Sequence, residues 1–242
     1  MNSMMRQTTF CITWHLRELD LQECVASIKQ RYPSAEILTQ DTGGNLSYGR
    51  NRLLDRCATR YYFMLEEDMR ITPRTDLGLM WRILQHHNVQ GVSGVLEERR
   101  GSVAMAAMIR RTRGGWNWSS SRDLFFTERG EPWIYAHATK NWGLFEWEAL
   151  NRVRWDERLD LHEHFEFFVR WYRAGKHVGV CRSSVAHYKS RPSGEYIQQR
   201  RRARKVFFAK SDSIMGRNHM PRNWTAFTQL SEAKWDASKI MG

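Results

Sequence analysis

The stretch 61–68, Tyr61-Tyr62-Phe63-Met64-Leu65-Glu66-Glu67-Asp68, decides the reading of the fold. Five consecutive apolar or aromatic residues read as an apolar strand. Three acidic residues follow with no spacer, and carboxylates at a buried strand end repel one another unless a cation or a partner offsets them. The chain before this stretch has the same character. Residues 8–14 (TTFCITW) form a strand-like run. Residues 21–31 then place Leu21, Cys24, Val25 and Ile28 at helical spacing, and Tyr32-Pro33 ends that helix because proline disfavours helical backbone before it. Residues 35–39 predict a second strand, running into the turn Asp41-Thr42-Gly43-Gly44, and residues 47–59 predict a helix with Leu53, Leu54 and Cys57 inward. Strands alternating with helices predict an α/β domain with a mainly parallel central sheet.

Working outward, residues 76–86 predict a helix, and residues 89–96 and 103–110 predict strands. Residues 111–115 break the pattern with basic residues and glycine, and residues 116–138 form a less regular region punctuated by aromatic residues. Residues 144–153 and 163–174 resemble helices, and residues 177–181 and 184–187 resemble the last short strands. Beyond Arg191 the sequence is strongly basic. A length of 242 residues, at roughly 150 per domain, is met most simply by one α/β domain over 1–190 and a basic C-terminal extension over 191–242.

Hydrophobic residues make up 41% of the chain and charged residues 26%, which excludes wholesale disorder and low-complexity architectures. No stretch approaches the ~18 apolar residues of a membrane-spanning helix, and residues 1–9 lack the apolar run of a signal peptide, so a soluble, cytoplasmic protein is expected. Cys11, Cys24, Cys57 and Cys181 lie far apart and form no C-x-x-C pair, which points to reduced, buried thiols. The formal net charge of +12 should attract polyanions. Nucleic acid, an anionic membrane face and phosphorylated small molecules are all compatible with it, as is a merely well-solvated basic surface.

Two constellations carry chemistry. Glu66-Glu67-Asp68 closes a strand, and in open α/β sheets ligands bind beyond the carboxyl ends of the strands, where Asp41 ends a neighbouring strand. Hard oxygen donors suit Mg²⁺ or Mn²⁺, which commonly bind through one or two carboxylates and a substrate's phosphates. A solvated acidic turn is the plainer alternative. The second constellation is Trp155-Asp156-Glu157-Arg158-Leu159 followed by residues 161–168 (LHEHFEFF). His162 and His164 do not share a helical face, and Glu166 stands where an H-E-x-x-H zinc pattern needs its second histidine. A carboxylate opening this aromatic helix can act as a general base, or simply stabilise the helix dipole.

In their order and spacing these pieces resemble the glycosyltransferases of the GT-A (Rossmann-like) fold, especially family 2 and the β-N-acetylgalactosaminyltransferase-like enzymes. The resemblance spans about residues 8–187. It rests on Asp41, Gly49-Arg50-Asn51-Arg52, residues 62–68, Gly143-Leu144-Phe145, residues 155–159, residues 163–168, Ala174-Gly175 and Ser183-Ser184-Val185-Ala186-His187. It implies a metal-dependent, inverting transfer from a nucleotide-sugar, a UDP-sugar by preference. Asp41 would meet the nucleotide base, and Arg50 and Asn51 would line its pocket. Glu66, Glu67 and Asp68 would stand for the D-x-D motif, with Glu66 near the ribose or sugar. Asp68 and His187 would hold Mn²⁺ or Mg²⁺. Glu66 departs from the motif's aspartate. The base would be Glu163, with His164 or Glu166 as alternatives, because Glu163-His164 stands where many family 2 enzymes have Glu-Asp. Trp142, Phe145 and Trp147 would border the sugar or acceptor, unless they are core packing.

Arg111 and Arg113 lie beside Trp116 and Trp118, and residues 198–205 (QQRRRARK) carry Arg200, Arg201, Arg202 and Arg204. Cations interleaved with tryptophans suit a polyanion whose bases can stack. DNA with 5-hydroxymethylated pyrimidines, of the kind glycosylated by phage enzymes, is therefore the leading acceptor expectation, with base extrusion exposing the hydroxyl. The alternatives are peripheral contact with a membrane that presents a lipid-linked glycan, and a binding module that has the fold without the catalysis.

Overall fold

In the computed structural model the described residues are 2–98, 101–112, 115–120, 125–159 and 163–187. Strand β1 (Thr8–Trp14) leads through α2 (Glu18–Arg31) to β2 (Glu36–Asp41), and α3 (Leu46–Arg56) leads to β3 (Tyr61–Glu66). A short helix α1 (Asn2–Met5) precedes them. These strands alternate as a doubly covered sheet requires: Phe10, Ile12, Tyr61, Phe63 and Leu65 enter one apolar cluster with Cys24 and Ile28 of α2. Cys11, Tyr62 and Met64 enter the other, with Leu53 and Leu54 of α3. Burial on both faces explains the unbroken apolar run of residues 61–65.

The chain continues through β4 (Met69–Ile71), α4 (Leu77–His86), β5 (Gly91–Glu98), β6 (Gly101–Ala104), β7 (Ala107–Thr112), β8 (Gly115–Ser120), β9 (Phe125–Glu128), β10 (Glu131–Ala136), β11 (Gly143–Glu146), α5 (Trp147–Val153), α6 (Glu163–Arg173) and β12 (Val178–His187). The main sheet has the order β2-β1-β3-β11-β5-β12-β10-β9, with β4 against β12 and β6 against β5, while β7 and β8 form a separate hairpin. The expected α/β class holds.

The sheet is mixed rather than mainly parallel. Only β1 with β2, β1 with β3, and β5 with β12 pair in parallel among the described strands. The decisive element is β11, inserted antiparallel between β3 and β5 where a helix over 144–153 was expected. Leu144 and Phe145 are fully buried. Gly143 lets β11 in, because at φ +136° a Cβ there would fall 2.2 Å from the Val92 carbonyl oxygen. Helical spacing holds only from Trp147 onward.

Residues 103–110 are likewise split between β6 and β7, while the two expected end strands merge into β12, whose register shifts between Val180 and Ser184. The aromatic region 116–138, expected to be less regular, contains β8, β9 and β10. All four cysteines are free and buried. No helix among the described residues is long and apolar enough to cross a membrane. The extension 191–242 lies outside the described residues.

Candidate functional site

Because β11 runs against both β3 and β5, strands β1, β2, β3, β5 and β12 all point the same way. Their carboxyl ends therefore share one edge of the sheet, which carries Asp41, Glu66, Glu98 and His187. Ligand sites of open α/β sheets form at such an edge.

Arg50 organises the interior of this edge. It projects from α3, whose N-cap Asn45 accepts a hydrogen bond from the Tyr48 N–H at 2.9 Å. Gly49 is required beside it, because a Cβ there would lie 2.7 Å from Thr42 Cγ2. The Arg50 side chain is 0% exposed. Its Nη1 donates to Glu163 Oε1 at 2.5 Å and its Nη2 to Glu66 Oε1 at 2.7 Å, so one guanidinium ties the end of β3 to the start of α6. The guanidinium also lies 5.5 Å from the Trp155 ring centroid. Burial opposes its charge, yet Glu163 and Glu66 together hold its pKa above the ordinary value.

The three acids of the β3 end occupy different environments. Burial pushes the Glu66 carboxyl above its usual range, with Arg50 opposing and Asp68 and Glu163 adding to the rise. Burial, and then the charge of Glu66, push Glu67 up to about 7. Asp68 Oδ2 faces Arg17 Nη1 and His187 Nε2, each at 3.4 Å, while its Oδ1 is buried with no hydrogen-bond partner. The other ring nitrogen of His187 lies 3.3 Å from Glu98 Oε1. Burial works against a charged His187, but Asp68 and then Glu98 outweigh it and raise its pKa.

The residues expected around the base divide clearly. Glu163 is buried against Arg50. Glu166 is committed to structure: both of its oxygens accept from Arg170, whose Nη1 also donates to the Val153 carbonyl. His164 is held to about 3 by burial, then by the charges of Arg50 and Lys140, and its Nδ1 is buried without a hydrogen-bond partner. The Thr139 hydroxyl and Arg50 Nε are also buried and unpartnered.

Asp41 is exposed at the end of β2. Its Oδ1 accepts from the Gly43 N–H at 2.9 Å and lies 3.2 Å from His15 Nδ1, and these contacts lower its pKa in that order. Asn51, expected to line a nucleotide pocket, instead holds the segment 155–159. Its Nδ2 donates to the Trp155 carbonyl at 2.9 Å and to Glu157 Oε1 at 2.8 Å, and its Oδ1 accepts from the Trp155 N–H at 2.9 Å. Ser47 Oγ donates to the Leu159 carbonyl at 3.0 Å, fixing the same segment.

The aromatic residues expected to border a sugar are core. Trp142 is fully buried with its ring 6.2 Å from Phe63, Phe145 is fully buried, and Trp147 donates its indole N–H to the Leu54 carbonyl at 3.0 Å. Arg111 is exposed on β7, where the hairpin register pairs it with Trp116 and pairs Ile109 with Trp118. Arg113, Arg200, Arg201, Arg202 and Arg204 lie outside the described residues.

Sequence reasoning missed Arg17, Trp155 as a partner of Arg50, and Glu98. Arg17 and His15 were the most findable, since they follow directly on the carboxyl end of β1. No known protein family matches the chain, and no curated protein matches it either.

Proposed function

We propose that the chain is a metal-dependent, inverting glycosyltransferase of the GT-A (Rossmann-like) type, moving a sugar from a nucleotide-sugar, a UDP-sugar by preference, to a hydroxyl acceptor. The observation that carries this reading is the meeting of Asp68 with His187 at the carboxyl edge, where Asp68 keeps one buried oxygen without a partner. A carboxylate oxygen beside an imidazole nitrogen fits Mn²⁺, and the oxygen alone fits Mg²⁺. Among the described residues no group of three or more His, Cys, Asp or Glu side chains is arranged to hold a metal. Asp68 and His187 would therefore share the ion with a substrate's phosphates. Such an ion would supply positive charge against the departing diphosphate.

The remaining roles fall to the chain's own groups. Asp41, exposed and oriented by Gly43 and His15, would meet the nucleotide base. Arg50 would hold Glu66 toward the donor sugar and fix Glu163 in one orientation. Glu163 would take the proton of the acceptor hydroxyl as its oxygen attacks the anomeric carbon. Glu166 is occupied by Arg170, and a histidine held at about 3 is a weak base at neutral pH.

For the acceptor, the net charge of +12 and the exposed Arg110 and Arg111 of the β7–β8 hairpin favour a polyanion, and we take 5-hydroxymethylated pyrimidines in DNA as the leading choice. One feature favours a lipid-linked acceptor at a membrane surface instead: Leu16 and Leu19, at 85% and 76% exposure, flank Arg17 at the rim of the site.

The test is mass spectrometry of nucleosides from 5-hydroxymethylcytosine DNA incubated with the protein, Mn²⁺ or Mg²⁺, and a panel of nucleotide-sugars. A hexose-sized mass increase that disappears with Asp68→Asn is expected. Metal-dependent donor cleavage without DNA modification would move the acceptor to a glycan or lipid. Salt-sensitive DNA binding with no donor cleavage would overturn the enzyme reading in favour of a binding module.

A further inference from the structure

A cavity of about 570 Å³ opens on the α2 and α4 face of the sheet, whereas Arg50, Glu163 and His164 belong to the α3 and α6 face. Its volume falls within the range of small-molecule sites. Basic side chains reach its wall from three separate elements: Arg31 from the end of α2, Arg82 and His86 from α4, and Arg129 from the β9–β10 turn. Trp81 and Tyr32 supply flat apolar surface between them.

The carboxylates nearby do not use up this charge. Asp76 is committed to capping α4, its Oδ1 accepting from the Leu79 N–H at 2.8 Å. Glu128 is buried, and one of its oxygens is approached by His86 Nδ1 at 3.0 Å, Arg129 Nε at 3.9 Å and Arg82 Nε at 4.0 Å. Three basic groups thus gather at one oxygen, and Arg82 Nε is buried with no hydrogen-bond partner.

Two residues at the cavity run against local propensity. The turn carries positive φ at both Arg129 (+51°) and Gly130 (+83°). Asparagine or aspartate is the usual first residue of such a hairpin turn, and arginine adopts the conformation only at a cost. At Gly78, a Cβ would lie 3.3 Å from Asp76 Oδ1 and 3.4 Å from Arg82 Nη1. A side chain there would press on the capping carboxylate of Asp76, which glycine avoids at the expense of helix propensity.

We propose that this cavity binds a phosphorylated small molecule, with the phosphate among Arg82, Arg129 and Arg31 and a flat moiety against Trp81. Guanidinium groups are suited to phosphate because their donors form charge-assisted, often paired hydrogen bonds. The assignment does not depend on the glycosyltransferase reading, since the cavity shares no residue with the carboxyl-edge site.

The test is calorimetry on the full-length protein in EDTA at low salt, with inorganic pyrophosphate and adenosine monophosphate as probes. Both should bind. Arg82→Gln and Arg129→Asn should each weaken binding by about tenfold, the loss expected for one charge-assisted contact. Asp68→Asn and Asp41→Asn, which alter the carboxyl-edge site, should bind like the parent. Arg129→Asn is the decisive variant, because asparagine tolerates the left-handed turn and preserves the fold even where Arg82→Gln does not. Absence of binding at millimolar probe, binding unchanged by Arg129→Asn, or binding lost in Asp68→Asn would each overturn the proposal. Binding of a short DNA oligonucleotide while pyrophosphate and the nucleotide stay inert would also overturn it, since the ligand would then be a nucleic-acid backbone.

Discussion

Replacing Arg50 by methionine should be among the most damaging single changes in this chain. The guanidinium is fully buried and satisfies Glu163 at 2.5 Å and Glu66 at 2.7 Å. Methionine keeps an unbranched stem against Trp155 but leaves two carboxylates facing each other without a cation. Breaking a buried ion pair from one side costs about 3–5 kcal/mol, because the remaining charge is uncompensated. Whole domains are stable by only about 5–15 kcal/mol. With a urea m value of about 2 kcal/mol/M, the unfolding midpoint of Arg50→Met at pH 7.5 should fall by about 2 M. Two controls separate this cause from lost packing. Adding Glu66→Gln and Glu163→Gln to Arg50→Met should recover most of the loss, because the uncompensated charges are gone. Lowering the pH to about 4.5, near the ordinary carboxyl pKa, should also shrink the gap between Arg50→Met and the parent, since a carboxylate deprived of its cation takes up a proton more readily. A loss below about 1 kcal/mol, or a triple variant no more stable than the single one, would refute the buried bridge as the element joining β3 to α6.

Three further outcomes follow from individual environments. His164 is held to about 3 by burial, so the folded chain keeps it neutral while the unfolded chain protonates it near 6.5. The stability this confers is present above pH 6.5 and lost as pH falls toward 3, so the urea midpoint should decline over that range and decline less steeply in His164→Gln. Asn51→Ala should cost about 3 kcal/mol, because it strands the Trp155 amide and carbonyl in a buried setting, and faster hydrogen exchange at the Trp155 amide would report it. Leu16 sits at φ +60° with 85% exposure, so Leu16→Gly should raise the urea midpoint by an amount worth about 0.5–1 kcal/mol, and no gain would show that the loop relaxes without it.

The parts of the fold legible in the sequence were those whose pattern is local. The apolar run of residues 61–65 has to be buried on both faces, and the strands and helices around it follow from 2-residue and 3.6-residue periods that no distant contact overrides. Phe10 and Cys11 point to opposite apolar clusters as alternation requires. What failed depended on partners far away in sequence. Leu144 and Phe145 run straight into the helical residues from Trp147 on, and only their insertion between β3 and β5 makes them a strand. The same holds within the site. Strand ends mark positions, so Asp41, Glu66 and Asp68 emerged from the sequence as neighbours of one edge, and His187 joined them only through the family resemblance. The assignment of Asn51 to a ligand pocket did not survive, because its amide is spent on Trp155 and Glu157, more than a hundred residues on. Trp142 shows the same limit, since an aromatic residue beside a glycine looks alike in sequence whether it lines a pocket or fills a core.

The carboxyl edge combines two kinds of ionic contact, and their difference bears on how the proposed site would work. Arg50, itself without solvent access, holds Glu66 at 2.7 Å and Glu163 at 2.5 Å, the geometry of permanent structural pairing. Arg17 and His187 approach Asp68 only to 3.4 Å, beyond the usual 2.7–3.2 Å of a hydrogen bond, and the Arg17 side chain is 33% exposed. Moving Arg17 away from Asp68 therefore exchanges a long, partly solvated contact for hydration, whereas moving Arg50 would strand the buried Glu163 and the partly buried Glu66. A divalent ion arriving at Asp68 meets a carboxylate whose contact with Arg17 is the cheaper one to displace, while Glu66 and Glu163 stay fixed on the other side. Under the proposed function this ordering lets the donor's ion and phosphates come and go at Asp68 without disturbing the carboxylate meant to receive the acceptor's proton. Arg17→Ala should accordingly leave the urea midpoint within about 0.5 kcal/mol of the parent while changing the affinity for Mn²⁺, and a large loss of stability in that variant would place Arg17 with Arg50 as scaffold.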